Sequence, residues 1–454
     1  MAKETKKRIG KLGRNLADNA LTRYITFSAL YVAQGIPEGI TYFAIPAWLA
    51  MNGKSAMEIA AYVGVIGIPW SFKILIAPLM DRFTFLAMGR KRPWVIFGQL
   101  GLIISFLCIG LIPDPLKNTF GLMTAGFFIS FFGAFQDVAT DGMAVDVIPV
   151  NEQARANGLM WGTKTIGIST SLIIGTWLIN TFGFSIAISS LSIAVAMIMI
   201  FPIYFKERPE EKLLPWTSGE ASSESKQTQL KSWKHIFKSL YKVVRLKSSV
   251  MFGIGIFAGG MMFGLIDTLL PIFSIQELGW TNSSFSNAFS ITTVIGGFLG
   301  MFIGGYLVDY FGKIKMLSVY LSILIIFIAA FAFMTNLWSN NIVVYAFILS
   351  YYTLYTFLCI AMFAAAMHLC WKTVAATQFT LYMALSNMGR AAGAAVLGVL
   401  KTNYSWEIVF LIIAIMPLVM VILIQFINFK KHRVTVDSFV ILKHKLVAPH
   451  VIKD

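Results

Sequence analysis

Charge is scarce in this chain. Of its 454 residues only 13% are Asp, Glu, Lys or Arg, while 57% are hydrophobic. No soluble globular domain needs that much apolar surface. Cysteine is rarer still: Cys108, Cys359 and Cys370 all fall in or beside apolar runs, which excludes a disulfide framework and a zinc-type spacing. No Gly-x-x-x-x-Gly-Lys loop occurs, so the sequence has no P-loop through which ATP could drive the protein directly. Neither a catalytic constellation nor metal-ligand spacing can be found, and an enzyme is not expected. Acidic residues are outnumbered, 21 against 37 basic ones, for a formal net charge of +16. Nucleic acid is nevertheless not the expected partner, because of where the basic residues lie.

What is abundant is apolar sequence of spanning length. Twelve runs of about 20 residues recur, the length that crosses a bilayer as helix: 24–50, 57–80, 94–112, 120–149, 155–180, 184–205, 249–275, 285–309, 315–334, 342–369, 373–400 and 404–428. Placing the N-terminus in the cytosol puts every Lys and Arg in cytosolic segments except Lys54, Lys117 and Lys401 on the other side and Lys73, Lys164 and Arg390 within spans. This bias orients a multi-pass protein with both termini inside. The expected organisation is a cytosolic N-tail 1–23, a six-helix bundle 24–205, a linker 206–248, a second six-helix bundle 249–428 and a C-tail 429–454. The basic N-tail lacks a small-residue cleavage site and reads as a retained tail. In the linker, Glu207–Gln229 is rich in Pro, Ser and Glu and is expected to be mobile. Trp233 to Val244 alternates apolar and basic residues at helical spacing, as an interfacial helix does.

The stretch Gly133 to Pro149 carries three carboxylates, Asp137, Asp141 and Asp146, at the end of an apolar run. A carboxylate at membrane depth costs several kcal/mol unless paired, hydrated or protonated. Asp137 and Asp141, four residues apart, share a helix face. They are expected to line a polar cavity, with Asp146 at the cytosolic rim. Span 1 holds Gln34-Gly-Ile-Pro-Glu-Gly39 and Pro46, and a helix weakened at mid-membrane is tolerated where it lines a cavity. Span 2 ends in Asp81-Arg82, followed by Gly89-Arg-Lys-Arg-Pro-Trp94. A second copy of that pattern appears at Gly304-Gly-Tyr-Leu-Val-Asp-Tyr-Phe-Gly-Lys-Ile-Lys315. Asp81 and Asp309 lie 228 positions apart, half the chain, so the two bundles form an internal repeat.

This doubled Gly-x-x-x-Asp…Gly-[Arg/Lys]-x-[Arg/Lys] pattern resembles the signature loop of the major facilitator superfamily, with Ala77-Pro78 and a longer loop in the first copy. Pro69-Trp…Lys73…Asp81, Gly89-Arg-Lys-Arg-Pro-Trp94…Gln99 and Gln136-Asp-Val-Ala-Thr-Asp141…Asp146 narrow the resemblance to its AmpG and acetyl-CoA-transporter branch, as does Ala376-Thr-Gln-Phe-Thr…Asn387-Met-Gly-Arg390. The resemblance implies an all-α fold of twelve transmembrane helices in two pseudo-symmetric bundles. It also implies proton-driven import of a polar, anionic solute such as a GlcNAc-anhydromuramyl-peptide across a bacterial inner membrane. Other cargoes on the same fold are acetyl-CoA-like molecules, siderophores, or drugs expelled by proton antiport; a transport-inactive sensor is a third reading, disfavoured by the cost of the buried charges. Some muropeptide permeases carry extra spans, which this sequence lacks.

Helical rise places Asp141, Lys73 and Lys164 about 12–14 Å above the cytosolic face, with Asp137 slightly deeper, and Glu38, Asp267 and Arg390 about 20–27 Å up. Each layer mixes signs. Asp141 is expected to pair with Lys73 or Lys164, and Glu38 to share its layer with Arg390. Arg390, a fixed donor fork, is the candidate for an anionic substrate group; Glu38 is the candidate for proton coupling, with Asp137 second. All of these charges could instead be structural ion pairs. Gln34, Gln136, Tyr352, Tyr355, Gln378 and Asn387 complete the expected substrate-binding set. By resemblance, Asp81, Arg82, Arg90, Asp146 and Asp309 form a charge latch for gating. His368 reads as a solvated interfacial residue, and the C-tail as dispensable for transport. The expected partners are a small-molecule substrate and the lipid bilayer, the expected state a monomer, and no cofactor beyond the proton gradient is expected.

Overall fold

The computed structural model describes residues 15–149, 152–228, 233–371 and 374–447. Among them the chain is helical, with one isolated bridge between Asn15 and Lys206. The first half opens with α1 (Ala20–Glu38), which continues through a π-helical turn, Gly39–Ala44, into α2 (Ile45–Met51). The glycines and prolines that mark this span therefore loosen the winding without breaking it. Next come α3 (Ala56–Ser71) and α4 (Lys73–Arg82), offset at Phe72, then α5 (Arg92–Gly110), α6 (Thr119–Val147), α7 (Gln153–Phe182) and α8 (Phe184–Tyr204). The connection between the halves holds α9 (Ser223–Thr228) and α10 (Trp233–Val244). The second half comprises α11 (Lys247–Ile272) with a π turn at Phe273–Glu277, α12 (Asn282–Leu299), α13 (Gly305–Phe311), α14 (Lys313–Phe333), α15 (Asn341–Leu369), α16 (Ala375–Asn403) and α17 (Trp406–Gln425). α18 (Phe429–Val447) follows in the tail.

Eleven helical runs among the described residues are long and apolar enough to cross a membrane. The run Ala20–Met51 is the twelfth span; Arg23, Gln34 and Glu38 dilute its apolar character. Span starts are set by short polar side chains. Ser55 and Glu58 form a reciprocal capping box, and Asn19, Asn118, Thr281 and Asn340 each accept a backbone amide of the first turn.

The packing repeats between halves. α1 lies on α7 as α11 lies on α16; α5 on α6 as α14 on α15; α5 on α8 as α14 on α17. Across the divide α3 packs on α16, and its counterpart α12 on α7. Glycine sets how closely the paired helices approach. A Cβ on Gly35 would meet the Lys164 carbonyl at 2.5 Å, and one on Gly167 would meet the Val32 carbonyl at 2.6 Å. In the second half Gly264 abuts the Arg390 carbonyl, and Gly389 the Phe257 carbonyl. Small residues at such seams let backbones touch within a bilayer.

The linker is not the mobile tether its composition suggests. Glu207 is fully buried, and its carboxylate accepts the consecutive backbone amides of Arg90 (3.0 Å), Lys91 (2.7 Å) and Arg92 at the start of α5. The Lys212 amide donates to the Ala87 carbonyl (2.7 Å), and Arg92 returns its guanidinium to the carbonyls of Lys212 and Leu213. Leu16 and Ala17 donate to the carbonyls of Lys206 and Glu207, and Arg23 holds the Leu16 and Ala17 carbonyls as well as Glu152. Order comes from these specific anchors, which composition cannot register. The tail is docked too: the His432 ring meets the Leu369 carbonyl at 2.9 Å, and Phe439 lies against Trp371. His368 is only partly exposed, 3.5 Å from Lys313.

Glu211 lies in the same knot, beside Arg208, Ser222 and Ser225. Burial, and then the neighbouring Glu207, push its carboxyl up to about 7. The folded state therefore holds this proton more tightly than the unfolded chain does. The group is destabilising above pH 7, and that penalty is relieved as pH falls from about 7 toward the ordinary carboxylate range. Glu211→Gln is accordingly expected to stabilise the protein at pH 8, on the order of 1–3 kcal/mol, and to lose that advantage near pH 5. Thermal unfolding in detergent at the two pH values checks this; an equal shift at both would reject it.

Candidate functional site

The halves meet around the intramembrane charges. On the face away from the linker they are sealed. Gln276 donates to the Ala50 and Lys54 carbonyls (3.3 and 2.7 Å), Asn180 and Asn282 exchange amide bonds (3.0 and 2.8 Å), Thr176 meets Ser286 (2.7 Å) and Phe43 packs on Phe289. The seam continues inward to Asn387, whose amide donates to the Trp70 carbonyl at 3.2 Å. That carbonyl lies beside the α3–α4 offset. Toward the linker face Asp141 and Trp161 are exposed. The space between the halves is thus closed on the far side, and on the linker side Asp141 reaches solvent.

Three ion pairs stand in it. Lys73 pairs with Asp137, Lys164 with Glu38 at 3.0 Å, and Arg390 with Asp267 at 2.7 Å. The expected partners are therefore rearranged. Glu38 belongs with Lys164 and not with Arg390, because Gly35, Gly39 and Gly167 press α1 onto α7. Asp141 takes neither lysine: the Tyr31 hydroxyl donates to it. Trp70 sits between the two cations, with the Lys73 ammonium 4.7 Å and the Lys164 ammonium 5.7 Å from its ring centroid. Such contacts add about 0.5–2 kcal/mol each.

Arg390 is held on every side. Both its Nε and Nη2 donate to one Asp267 oxygen (3.1 and 2.7 Å), and Tyr352 donates to the other at 2.8 Å. Its guanidinium lies 3.8 Å from the Tyr42 ring centroid and 4.7 Å from that of Phe263, and Phe263 stacks on Tyr355 at 4.0 Å. Tyr42 comes from the first half, so the stack bridges the halves. Tyr42 was not foreseen; its place one turn beyond Glu38, inside the loosened stretch of span 1, was the available signal.

Other expected site residues serve elsewhere. Gln378 is fully buried and clasps the α15–α16 turn, accepting the Trp371 amide and donating to the Leu369 carbonyl and the Tyr382 hydroxyl. Gln136 donates to the Leu30 carbonyl at 2.9 Å. Gln34 is fully buried, and neither end of its amide has a hydrogen-bond partner among the described residues. At the rim Arg90 grips both oxygens of Asp146 (2.9 and 3.0 Å). Both residues belong to the first half, so this bond does not depend on how the halves sit. Arg82 is exposed. The side chains of Asp81 and Asp309 lie outside the described ones. Among the described residues no group of His, Cys, Asp and Glu could hold a metal ion.

Two repeated six-helix bundles that meet around buried ion pairs are the architecture of a membrane transporter rather than of an enzyme. The chain belongs to the Major Facilitator Superfamily, whose model matches residues 27–394. It is 24% identical over 427 residues to "Putative transporter AmpG 4" of Rickettsia conorii, covering 88% of this chain and 95% of that one. It is 27% identical over 146 residues to the "Anhydromuropeptide permease" of Escherichia coli; that match covers 32% of this chain and spans 29% of the permease's length. The crystal structure of the nucleoside transporter NupG superposes with a TM-score of 0.65 at 14% identity, over 89% of this chain and 98% of that one, a likeness of fold.

Proposed function

We propose that the protein is a proton-coupled symporter that imports a polar, anionic solute, a GlcNAc-anhydromuramyl-peptide first among the candidates, by alternating access. The linker face is the cytoplasmic one, with both termini inside, in a bacterial inner membrane, and the working unit is a monomer. The observation that carries this reading is the charge between the halves: three lysine or arginine pairs and one further, solvent-reaching carboxylate, Asp141, where the halves are sealed on the far side. A purely structural bundle has no use for a carboxylate left without a cation at membrane depth. Similarity to a relative named for anhydromuropeptides supports the cargo, and lysines flanking a tryptophan suit a solute with both sugar faces and carboxylates.

The experiment is uptake of labelled GlcNAc-anhydromuramyl-peptide into proteoliposomes under an inward proton gradient. Accumulation that collapses with a protonophore is expected. Accumulation unaffected by the protonophore would remove proton coupling. No uptake of this solute, with proton-driven transport of an acetyl-CoA-like molecule or a siderophore, would leave the same machine with another cargo.

A further inference from the structure

The internal repeat sorts the cavity charges into two kinds. Asp267 follows Glu38 by 229 positions and Arg390 follows Lys164 by 226, close to the 228 that separates the two signature loops. Glu38–Lys164 joins α1 to α7, and Asp267–Arg390 joins α11 to α16, which is the same helix pair in each half. These are twin braces, present wherever the repeat is. Lys73, Asp137 and Asp141 have no such twins: α12 and α13 contain no lysine, and α15, the counterpart of α6, contains no Asp or Glu. What the second half omits, the bundle can be built without.

Within the unrepeated trio the charges do not balance. Lys73 is matched by Asp137, and Asp141 remains as one excess negative charge with no cation at ion-pair distance among the described residues. It is itself exposed to solvent. Protonating Glu38, Asp137 or Asp267 would strand the lysine or arginine bound to it, which is costly at depth. Protonating Asp141 strands nothing. The groups that face it are Tyr31 from α1, Lys73 from α4, Asp137 on its own helix and Lys164 from α7. The Lys91 side chain lies against the adjoining Gly142.

We infer that Asp141, held by the Tyr31 hydroxyl, carries the coupling proton, and that its protonation is what admits an anionic group beside Lys73. This rests on the transport reading above. With Asp141 ionised, an incoming carboxylate enters a trio that is already net negative. With Asp141 neutral the trio is balanced, and the anion brings it back to one negative charge. One proton therefore accompanies one anionic group, and the proton binds first. In the release step, loss of the Asp141 proton on the cytoplasmic side restores the excess charge and repels the anion, and the empty carrier then returns. Tyr31 positions the carboxyl.

The test has a cargo-free arm. In purified protein in lipid nanodiscs, a pH-difference infrared spectrum should show a protonated carboxyl band that titrates. Asp141→Asn should lose that band, Glu38→Gln should keep it, and Tyr31→Phe should keep it with a displaced midpoint. A titrating band that survives in Asp141→Asn and vanishes in Glu38→Gln overturns the assignment. Should Asp141→Asn fail to fold, the Tyr31→Phe midpoint decides: unmoved, it overturns the inference. In the second arm the binding constant for GlcNAc-anhydromuramyl-peptide should weaken about tenfold per pH unit above the midpoint and become pH-independent in Asp141→Asn. If the wild type binds none of this solute, the cargo is wrong and the infrared arm still judges Asp141.

Discussion

Arg390→Leu is expected to lose about 3–5 kcal/mol of stability, the scale for removing one partner of a buried pair, and with it most of the folded protein recovered in detergent. The cause is what it leaves behind. Asp267 is fully buried, and with Arg390 gone the Tyr352 hydroxyl alone among the described residues serves its charge. The guanidinium also fills the space between Tyr42 and Phe263, so the substitution opens the stack that bridges the halves. Asp267→Asn should be similarly damaging, for it strands a cation in the same place. The double variant, Arg390→Leu with Asp267→Asn, removes both charges and should regain most of the lost melting temperature. A double variant as unstable as the worse single one would mean that the pair is not the source of the loss. Transport by the rescued double variant then separates the two roles of Arg390. A brace can be dispensed with once its partner is neutral; a group that receives the substrate cannot.

The spans and the repeat were legible in the sequence, because hydropathy and the half-chain spacing of the two signature loops are properties of the chain alone. Which acid meets which base was not. Glu38 lies at a height from which Arg390 is a plausible partner, but height says nothing about which helices touch. That is decided by Gly35 and Gly167, where the absence of a side chain lets α1 and α7 close up and brings Lys164 to Glu38. One clue did sit in the numbering: the half-chain offset that relates Asp81 to Asp309 also relates Glu38 to Asp267 and Lys164 to Arg390, which pairs like with like. Gln378 misled for a different reason. A glutamine near a span end looks like a cavity residue, yet here it satisfies a turn whose backbone groups have no helical partner. The linker misled most. Its Pro, Ser and Glu leave few apolar side chains to bury, which is the usual mark of a disordered segment. Its order comes instead from one buried carboxylate and the backbone of a loop more than a hundred residues earlier.

That carboxylate sets the second large effect. Glu207→Ala is expected to destabilise the first half by several kcal/mol, since an unsatisfied buried amide costs about 1–3 kcal/mol and the amides of Arg90, Lys91 and Arg92 all lose their acceptor. They lie at the N-terminal end of α5, where the helix dipole makes a negative group most favourable. The charge matters as well as the shape. Glu207→Gln retains one acceptor oxygen, enough for Lys91 and Arg92, but turns an NH2 toward the Arg90 amide. It should therefore fall between Ala and the wild type. Gly89 offers an independent route to the same contact. Its φ of +106° disfavours any side chain, and a Cβ there would stand 2.7 Å from the Glu207 carboxyl carbon. Gly89→Ala should accordingly push Glu207 out and reproduce the loss. Hydrogen exchange reads the effect at its origin: the amides of residues 90–92 should exchange much faster in Glu207→Ala and Gly89→Ala, while those of α14, which begins after the second signature loop, keep their protection. Slow exchange at 90–92 in Glu207→Ala would show that the loop holds itself and that the linker merely rests on it.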